Sequence, residues 1–326
     1  MEFFNPNSNV DFMRVRKVTV SIAVLLMVAS IVAIATKGLN LALDFTGGTL
    51  VEVNFDQAIE QPEVVERLEA AGIQGALVQR FDTTNYSVRL APALSEEVAA
   101  GIVVEDETSL DARNAAVGQM VLQALRGDDR EVDVLRSEFV GPQVGRELAY
   151  NGIVAVCVVL AGIMIYIAFR FEWKFSVATV IGEAHDVLVT LGIFAILGID
   201  FDLAVLAAIL AVDGYSVNDK IVVFDRVREL FRSTRNKTPV EVLNRAINTT
   251  LSRTIMTSLT TLITVTALYL FGGPTLQGFA FALMIGVVVG TLSTIFYATP
   301  LLLTLGVNKQ DLMPKERDEE ALNARP

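Results

Sequence analysis

Six long runs of apolar residues alternate with shorter charged segments along the chain. A helix rises about 1.5 Å per residue, so it needs roughly 20 residues to cross a hydrocarbon core about 30 Å thick. The runs, which each approach or exceed that length, cover residues 18–36, 150–169, 175–198, 203–224, 251–271 and 276–305. This pattern predicts a polytopic α-helical membrane protein with six transmembrane helices.

The segment between the first and second runs, residues 37–149, has a different pattern. Stretches of alternating apolar and polar residues, typical of strands, are interleaved there with two helix-like stretches. Strands are expected near residues 50–55, 76–81, 86–90 and 132–140, and helices near 62–71 and 110–126. The resulting βαββαβ order predicts a ferredoxin-like α+β domain. Because that fold hosts many activities, it does not identify a function by itself.

This predicted domain contains no residues arranged for nucleophilic or metal-assisted chemistry. The chain has one histidine, His185, and one cysteine, Cys157, and both fall within apolar runs instead. No Gly-Lys-Ser or Gly-Lys-Thr phosphate loop occurs in the sequence, so ATP-driven transport is not indicated. We therefore expect a binding or lever domain rather than an enzyme.

Positively charged residues flank the apolar runs on one side of a six-helix topology. They precede the first run, follow the second, fourth and sixth runs, and comprise Arg14, Arg16, Lys17, Arg170, Lys174, Arg226, Arg228, Arg232, Arg235, Lys237, Arg245, Lys309, Lys315 and Arg317. Cytoplasmic loops of membrane proteins carry the excess of Lys and Arg. Residues 1–17 and 306–326 are therefore predicted to be cytoplasmic, and residues 37–149 periplasmic.

The periplasmic segment is strongly acidic. It contains 9 Lys and Arg against 20 Asp and Glu, and this imbalance equals the net charge of −11 of the whole chain. A surface of this sign repels the phosphate backbone of nucleic acids. The charge distribution therefore argues against a nucleic-acid partner.

Several ionisable residues interrupt the apolar runs. They are Glu183, His185 and Asp186 in the third run, Asp213, Asp219 and Lys220 in the fourth, and Arg253 in the fifth. A charge at the centre of a membrane helix costs about 2.5 to 3.5 kcal/mol even on insertion scales, so such residues usually mark an ion or proton pathway. Counted from the cytoplasmic helix ends, Asp219 and Arg253 lie at depths of about 3–9 Å, and Glu183 and Asp213 at about 12–17 Å.

Asp219 and Arg253 are the pair that these depths favour as a proton pathway, together with the neighbouring Asn218. A carboxyl in a membrane holds its proton tightly, and an approaching arginine stabilises the ionised form. A helix movement that makes or breaks the pair would therefore bind or release a proton. A static ion pair between helices is the alternative.

A second charged cluster is predicted deeper in the membrane, formed by Glu183, His185, Asp186, Asp213 and Lys220. On a helix that turns about 100° per residue, Asp213 and Lys220 share a face, whereas Asp219 points about 120° away from Asp213. The alternative for Glu183, His185, Asp186 and Asp213 is a metal-transport site, although no metal is our leading expectation. His185 could act as a proton relay or simply as a hydrogen-bonded helix contact.

Eight short motifs, in order along the chain, carry a resemblance to a known family. They are LDFTGGT (43–49), FVGPQVG (139–145), FRFEW (169–173), HDV (185–187), GYSVND (214–219), FDRVRE (224–229), LSRT (251–254) and YLFGGP (269–274). Together with the six apolar runs they cover roughly residues 12 to 307. The chain resembles the SecF family of bacterial Sec protein translocase subunits, which belongs to the resistance-nodulation-division superfamily.

The resemblance implies a subunit that pairs with SecD beside the SecYEG translocon and its associated membrane-insertion subunits, in the bacterial inner membrane. In that family the pair uses the proton gradient to help draw an unfolded preprotein across the membrane, with no enzymatic activity and no cofactor of its own. Asp219 matches the family's proton-pathway aspartate and Arg253 its basic partner. Na⁺ is an alternative coupling ion.

Two other functions are compatible with these residues. One is a proton-coupled small-molecule efflux permease of the same superfamily, which would be expected to carry larger periplasmic insertions in both halves of one long chain. The other is a passive scaffold or chaperone for membrane insertion, which should tolerate loss of Asp219.

Three positions depart from the family pattern, because Glu183, Asp213 and Lys220 stand where small, apolar or hydroxyl residues are usual. All three are charged and fall near one another, so we expect them to form a compensating cluster. Replacing Lys220 alone with Met should then impair membrane assembly more than replacing all three with apolar residues.

Overall fold

The computed structural model describes residues 9–94, 110–126, 130–234 and 237–308. The first eight and last eighteen residues, which include most of the predicted cytoplasmic tail, lie outside this range, as do Arg235, Lys309, Lys315 and Arg317. The described chain is mostly helical and divides into two compact units. One unit comprises the residues up to Leu39, Val156–Ile199 and those from Ala204 onward, and the other comprises Asn40–Ala155 and Asp200–Leu203.

Most of the strands lie between the first two long helices, and one short strand follows the third. They are α1 (Arg16–Lys37), β1 (Asn40–Leu41), α2 (Leu43–Thr46), β2 (Gly48–Phe55), α3 (Gln61–Ala70), β3 (Leu77–Arg80), β4 (Asn85–Leu90), α4 (Leu110–Arg126), β5 (Val132–Val140), α5 (Pro142–Arg170), α6 (Trp173–Leu197), β6 (Asp200–Phe201), α7 (Leu203–Ser233), α8 (Pro239–Phe271), α9 (Pro274–Ser293) and α10 (Thr299–Thr304). A 3₁₀ turn, Phe12–Val15, precedes α1, and a π-helical turn, Thr294–Ala298, joins α9 to α10.

Five of the described helical segments are long and apolar enough to cross a membrane: α1 with its leading turn, α5, α6, α8, and α9 continued through α10. The prediction of a polytopic helical membrane protein is confirmed at this level. The 31-residue helix α7 is not among the five, because Asp213, Asp219 and Lys220 all fall within its first 18 residues. The sixth transmembrane helix remains a prediction.

Two helices begin well before their apolar runs. Helix α5 starts eight residues before the run 150–169, and α8 starts twelve residues before the run 251–271. Both begin at a proline, which suits the first helical position because its missing N–H would have no partner there. At α8, Thr238 and Glu241 also form a reciprocal capping box. The helices therefore include polar residues that precede the apolar runs. A hydropathy profile does not assign those residues to a helix.

The helical unit is held together by close packing of large and small side chains. Phe175 on α6 meets Phe224 on α7 edge to face, with ring centroids 5.4 Å apart. Gly192 on α6 approaches Ser30 on α1 so closely that a Cβ atom at position 192 would overlap the serine side chain. Lipid is as apolar as these residues, so packing and polar contacts, rather than hydrophobic burial, associate helices inside a membrane.

The second unit contains a four-stranded antiparallel sheet in the order β3-β4-β2-β5. From β2 to β5 the elements follow the order βαββαβ. Strand β2 alternates strictly: Val51, Val53 and Phe55 are buried, and the residues between them are not. Their side chains share one apolar core with residues of α3 and α4, such as Leu68 and Leu125. One face of the sheet is thus covered by the two helices.

The backbone conformation of the LDFTGGT segment requires glycine at two positions. Gly47 and Gly48 have φ angles of 70° and 116°, a region that residues with a Cβ atom rarely adopt. A Cβ atom at Gly47 would also lie 2.9 Å from Cα of Pro142, and one at Gly48 would overlap the carbonyl group of Leu90. Both positions therefore require glycine for conformation and for space.

Asp200 organises the short parallel pair between β1 and β6. Arg89 Nη2 on β4 donates to Asp200 Oδ2 at 3.0 Å, and Asn40 Nδ2 donates to its other oxygen. Burial raises the pKa of Asp200, and the neighbouring Arg89 opposes this effect. Nearby, Asp44 Oδ2 accepts a hydrogen bond from the backbone N–H of Leu203 at 2.9 Å. This contact satisfies one of the amide groups that a helix leaves unpaired at its start.

Candidate functional site

A stripe of polar side chains on α7 faces the interior of the helical unit. Asp213, Ser216 and Lys220 are spaced by three and four residues, which brings them onto one face of the helix. Each is buried, with an exposed fraction of 1% or less. Helix α7 therefore presents a continuous polar face to its neighbours inside the helical unit.

The ammonium group of Lys220 is the centre of this stripe. Lys220 Nζ donates to Glu183 Oε1 at 2.7 Å, to Asp186 Oδ2 at 2.8 Å and to Ser216 Oγ at 2.6 Å. A lysine ammonium has three donors and no acceptor, so these partners use it completely. Two of the bonds are ion pairs to α6, which makes Lys220 a buried link between α6 and α7.

Asp186 is a second centre of hydrogen bonding and brings in a third helix. Besides Lys220, its Oδ2 accepts from Ser216 Oγ at 2.9 Å and from Ser293 Oγ of α9 at 2.8 Å. Its Oδ1 lies 2.9 Å from His185 Nδ1. The His185 ring in turn packs on Tyr297, with ring centroids 4.8 Å apart. One carboxylate thus joins α6, α7 and the end of α9.

Glycines on the neighbouring helices make room for these polar groups. A Cβ atom at Gly182 would lie 2.7 Å from Cε of Lys220, and one at Gly290 would lie 2.6 Å from Oγ of Ser216. Gly286, one turn earlier on α9, meets Val212 of α7 with similar closeness. Small residues at four-residue spacing let helix backbones approach, as the Gly286 and Gly290 spacing predicts.

Asp213 and one carboxyl oxygen of Glu183 differ from the rest of the cluster, because no hydrogen-bond donor of the described residues reaches them. Neither oxygen of Asp213 has a hydrogen-bond partner among the described residues, and the same is true of Glu183 Oε2. The expected compensating cluster required Lys220 to pair with Asp213. The structure does not show that pair. The physical reason is that Ser216, one turn from Lys220 on the same face, takes the third ammonium hydrogen.

Asp219 lies on a different face of α7 from this cluster. Its side chain is buried, and its Oδ2 atom has no hydrogen-bond partner among the described residues. Arg253 on α8 is exposed and acts on Asp219 electrostatically, but the two form no ion pair within 4 Å. Asn218 is also exposed. The proposed proton-pathway residues are thus near one another without being locked together.

The sequence did not single out several members of the buried cluster. Ser216 lies between Asp213 and Lys220 at helical spacing, so the helix face that those two define could have indicated it. Ser293 and Tyr297 carry no such signal, because their role depends on how α9 packs against α6. Within the described residues, no group of three or more His, Cys, Asp or Glu side chains is arranged to hold a metal ion.

The structure up to this point defines an integral membrane protein with ionisable groups buried between its helices. Two family models match the chain: "Protein export membrane protein SecD/SecF, C-terminal" over residues 120–308 and "SecD/SecF GG Motif" over residues 32–59. The chain belongs to the SecD/SecF family of protein-export membrane proteins. The second match includes Gly47 and Gly48, whose conformation and packing require glycine.

Relatives of known identity align with nearly the whole chain. The protein translocase subunit SecF of Vibrio alginolyticus is 40% identical over 321 residues, which cover 98% of this chain and 97% of that protein. The SecF subunit of Desulfurispirillum indicum is 43% identical over 296 residues, or 90% of each chain. The SecF subunit of Escherichia coli O157:H7 is 39% identical over 312 residues, covering 95% of this chain and 92% of that protein.

Solved structures show the same relationship. The crystal structure of SecDF from Thermus thermophilus matches with a TM-score of 0.81 and 35% identity, over 93% of this chain. A SecDF structure described as a super-membrane-facing form matches with a TM-score of 0.67 and 34% identity, over 98% of this chain. In both cases this chain spans 40% of the length of the solved chain.

Proposed function

We propose that this chain is a SecF-type subunit of the Sec protein-export machinery and works together with a SecD-type subunit. Support comes from the SecF relatives, which align over 90% or more of both chains. The solved SecDF chains are longer, and this chain accounts for 40% of them. A separate SecD-type partner would supply the remaining part. The SecYEG translocon and an unfolded preprotein complete the proposed set of partners.

The proposed membrane arrangement has six transmembrane helices, with α7 as the fourth. Its buried polar face is satisfied largely by α6 and α9, so its charges do not require exposure to lipid. The unit between α1 and α5 is proposed to be a ferredoxin-like domain in the periplasm, supported by its strand order and by its acidic sequence. Both chain termini are then cytoplasmic, and the protein resides in the bacterial inner membrane.

Asp219 is proposed to carry the coupling proton, with Arg253 and Asn218 beside it. The observation that carries this proposal is a buried carboxyl with an oxygen that lacks a donor, next to an exposed arginine that is not bonded to it. Approach of the guanidinium group stabilises the ionised carboxylate, and its withdrawal favours the protonated form. A helix movement can therefore bind the proton on one side of the membrane and release it on the other.

The proposed activity is mechanical rather than enzymatic. Proton binding and release would shift the helices that carry Asp219 and Arg253, and no cofactor is required for that step. Na⁺ is the alternative coupling ion, because a carboxylate oxygen is also a ligand for hard cations. We propose H⁺ as the coupling ion, and ion replacement in the assay below separates the two.

The test is Asp219→Asn in the full chain, reconstituted into vesicles with its SecD-type partner. The amide keeps the shape of the side chain but cannot exchange a proton, so proton flux and proton-stimulated preprotein export should both be lost. Asp82→Asn is the matched control, because Asp82 is exposed in a turn of the other unit and should leave both measurements unchanged.

Three results would contradict the proposal. Normal proton flux and export by Asp219→Asn would indicate a passive scaffold that does not need this carboxyl. Flux that follows a Na⁺ gradient, and not a pH gradient, would reassign the coupling ion. Efflux of small molecules without any effect on preprotein export would instead favour a permease.

A further inference from the structure

Glu183 and Asp213 carry buried oxygen atoms that no hydrogen-bond donor of the described chain reaches. Glu183 accepts from Lys220, and Asp213 lies on the same face of α7 as that lysine, so both carboxyl groups belong to one buried cluster. Ionised carboxylates only accept hydrogen bonds, so a bond between two of them needs a proton on one. No other described group supplies a hydrogen to either Asp213 oxygen or to Glu183 Oε2.

The nearby cation cannot supply the missing hydrogen. Each of the three ammonium hydrogens of Lys220 already has an acceptor, in Glu183 Oε1, Asp186 Oδ2 and Ser216 Oγ. Asp213 is 1% exposed and Glu183 is fully buried, so water outside the protein does not reach them. Three acceptor atoms of the cluster therefore lie without a donor from the described residues in a closed, low-dielectric space, where like charges repel strongly.

We propose that Glu183 and Asp213 hold one shared proton, as an O–H···O bond between the two carboxyl groups. The proton joins the two oxygen atoms and breaks no covalent bond, and the pair as a whole then carries a single negative charge. With Asp186 ionised and Lys220 protonated, that proton removes one of two excess negative charges from the buried cluster. The site is distinct from Asp219, which lies on another face of α7.

The other titratable groups around the pair do not provide this proton. On α6, Asp186 is already bonded by a lysine and two serine hydroxyls, and His185 is directed to Asp186 through Nδ1. Asp219 of α7 lies on another face of that helix, Arg253 of α8 is exposed, and the Tyr297 ring packs on His185. A metal ion is not indicated either, since no three acidic, His or Cys ligands in the described chain converge.

Infrared difference spectroscopy of the purified full chain at neutral pH tests the proposal. The wild-type protein should show the carbonyl band of a protonated carboxyl group, and that band should shift in D₂O. Asp213→Asn should lose the band, while its amide N–H still donates to Glu183 and preserves the fold. Glu183→Gln should lose the band too, since its oxygen can still accept from Lys220 and its amide can donate to Asp213.

Asp219→Asn provides the matched control, because the same substitution on the same helix should leave the shared-proton band in place. Thermal unfolding of each variant establishes that it is folded. A wild-type minus Asp213→Asn spectrum that contains only ionised carboxylate bands would overturn the proposal, as would carboxylate bands that respond to Na⁺. The measurement involves no transport, so its outcome is independent of the proposed function of Asp219.

Discussion

The two charged regions of the helical unit accommodate buried charges in opposite ways. Around Lys220, a buried ammonium group is saturated by three acceptors on two helices, and Asp186 gathers four partners from three helices. Around Asp219, a buried carboxyl has an oxygen without a donor, and its arginine neighbour is exposed. An ammonium group with all its hydrogens bonded holds its partners in place, whereas a carboxyl oxygen beside a cation that is not bonded to it can respond to a proton or a moving partner. The first region is suited to holding helices together, and the second to switching.

Replacing Lys220 should produce the largest effect on stability. Lys220→Met removes the cation between Glu183 and Asp186 and leaves both carboxyl groups buried without it. Breaking a buried ion pair from one side typically costs about 3–5 kcal/mol, so we expect a loss of that order in the free energy of unfolding. Denaturation of the purified chain in detergent, followed by circular dichroism, measures it.

The compensated control combines Lys220→Met with Glu183→Gln and Asp186→Asn. This set differs from the one that the sequence predicted, because the ion partners of Lys220 are Glu183 and Asp186 rather than Asp213. Neutralising them together should recover much of the lost stability. A single Lys220→Met variant as stable as the wild type would show that the network does not hold the helices.

Filling the space beside the network should have an intermediate effect. Gly290→Ala places a Cβ atom 2.6 Å from Ser216 Oγ, closer than real Cβ atoms approach, so α9 must move away from α7. Overpacking of this kind typically costs about 1–3 kcal/mol, which the same denaturation experiment detects. Gly162→Ala on α5 is the control, because a Cβ atom there meets nothing within 4 Å. Equal stabilities of the two variants would contradict close packing at Gly290.

Asp219→Asn should have the smallest effect on stability of the three. Asp219 makes no ion pair within 4 Å with Arg253, so neutralising it breaks no strong contact. We expect the free energy of unfolding to change by less than about 1 kcal/mol, as for substitutions away from buried networks. A loss as large as that of Lys220→Met would mean that Asp219 belongs to the structural region after all.

Much of the helical unit follows from local patterns in the sequence. The apolar runs lie within the observed helical segments to within one residue, and the seven-residue interval between Asp213 and Lys220 places both on one face of α7. Hydropathy alone does not locate the polar starts of α5 and α8, although the Thr238, Pro239 and Glu241 pattern is typical of a capped helix N-terminus. The depth of a charged residue along its helix and the helix face that it occupies depend on residue spacing alone. Both can therefore be predicted from the sequence.

The partners of each charge could not be obtained in the same way. Asp213 lies on the same helix as Lys220, whereas Asp186 lies on α6, so the choice between these partners depends on how α6 packs against α7. Ser293 reaches Asp186 from a residue more than a hundred positions away, so its role depends on the packing of α9. The need for glycine at Gly47 and Gly48 likewise depends on Pro142 and Leu90, which are distant in sequence.

The missing side chain at Gly182 has an evolutionary consequence. The Cε atom of Lys220 occupies the space that a methyl group at position 182 would fill. A relative with alanine at position 182 would have no room for lysine at position 220 in this rotamer, and a relative without that lysine would leave a void beside glycine. We therefore expect relatives of this chain that carry lysine at position 220 to carry glycine at position 182 as well.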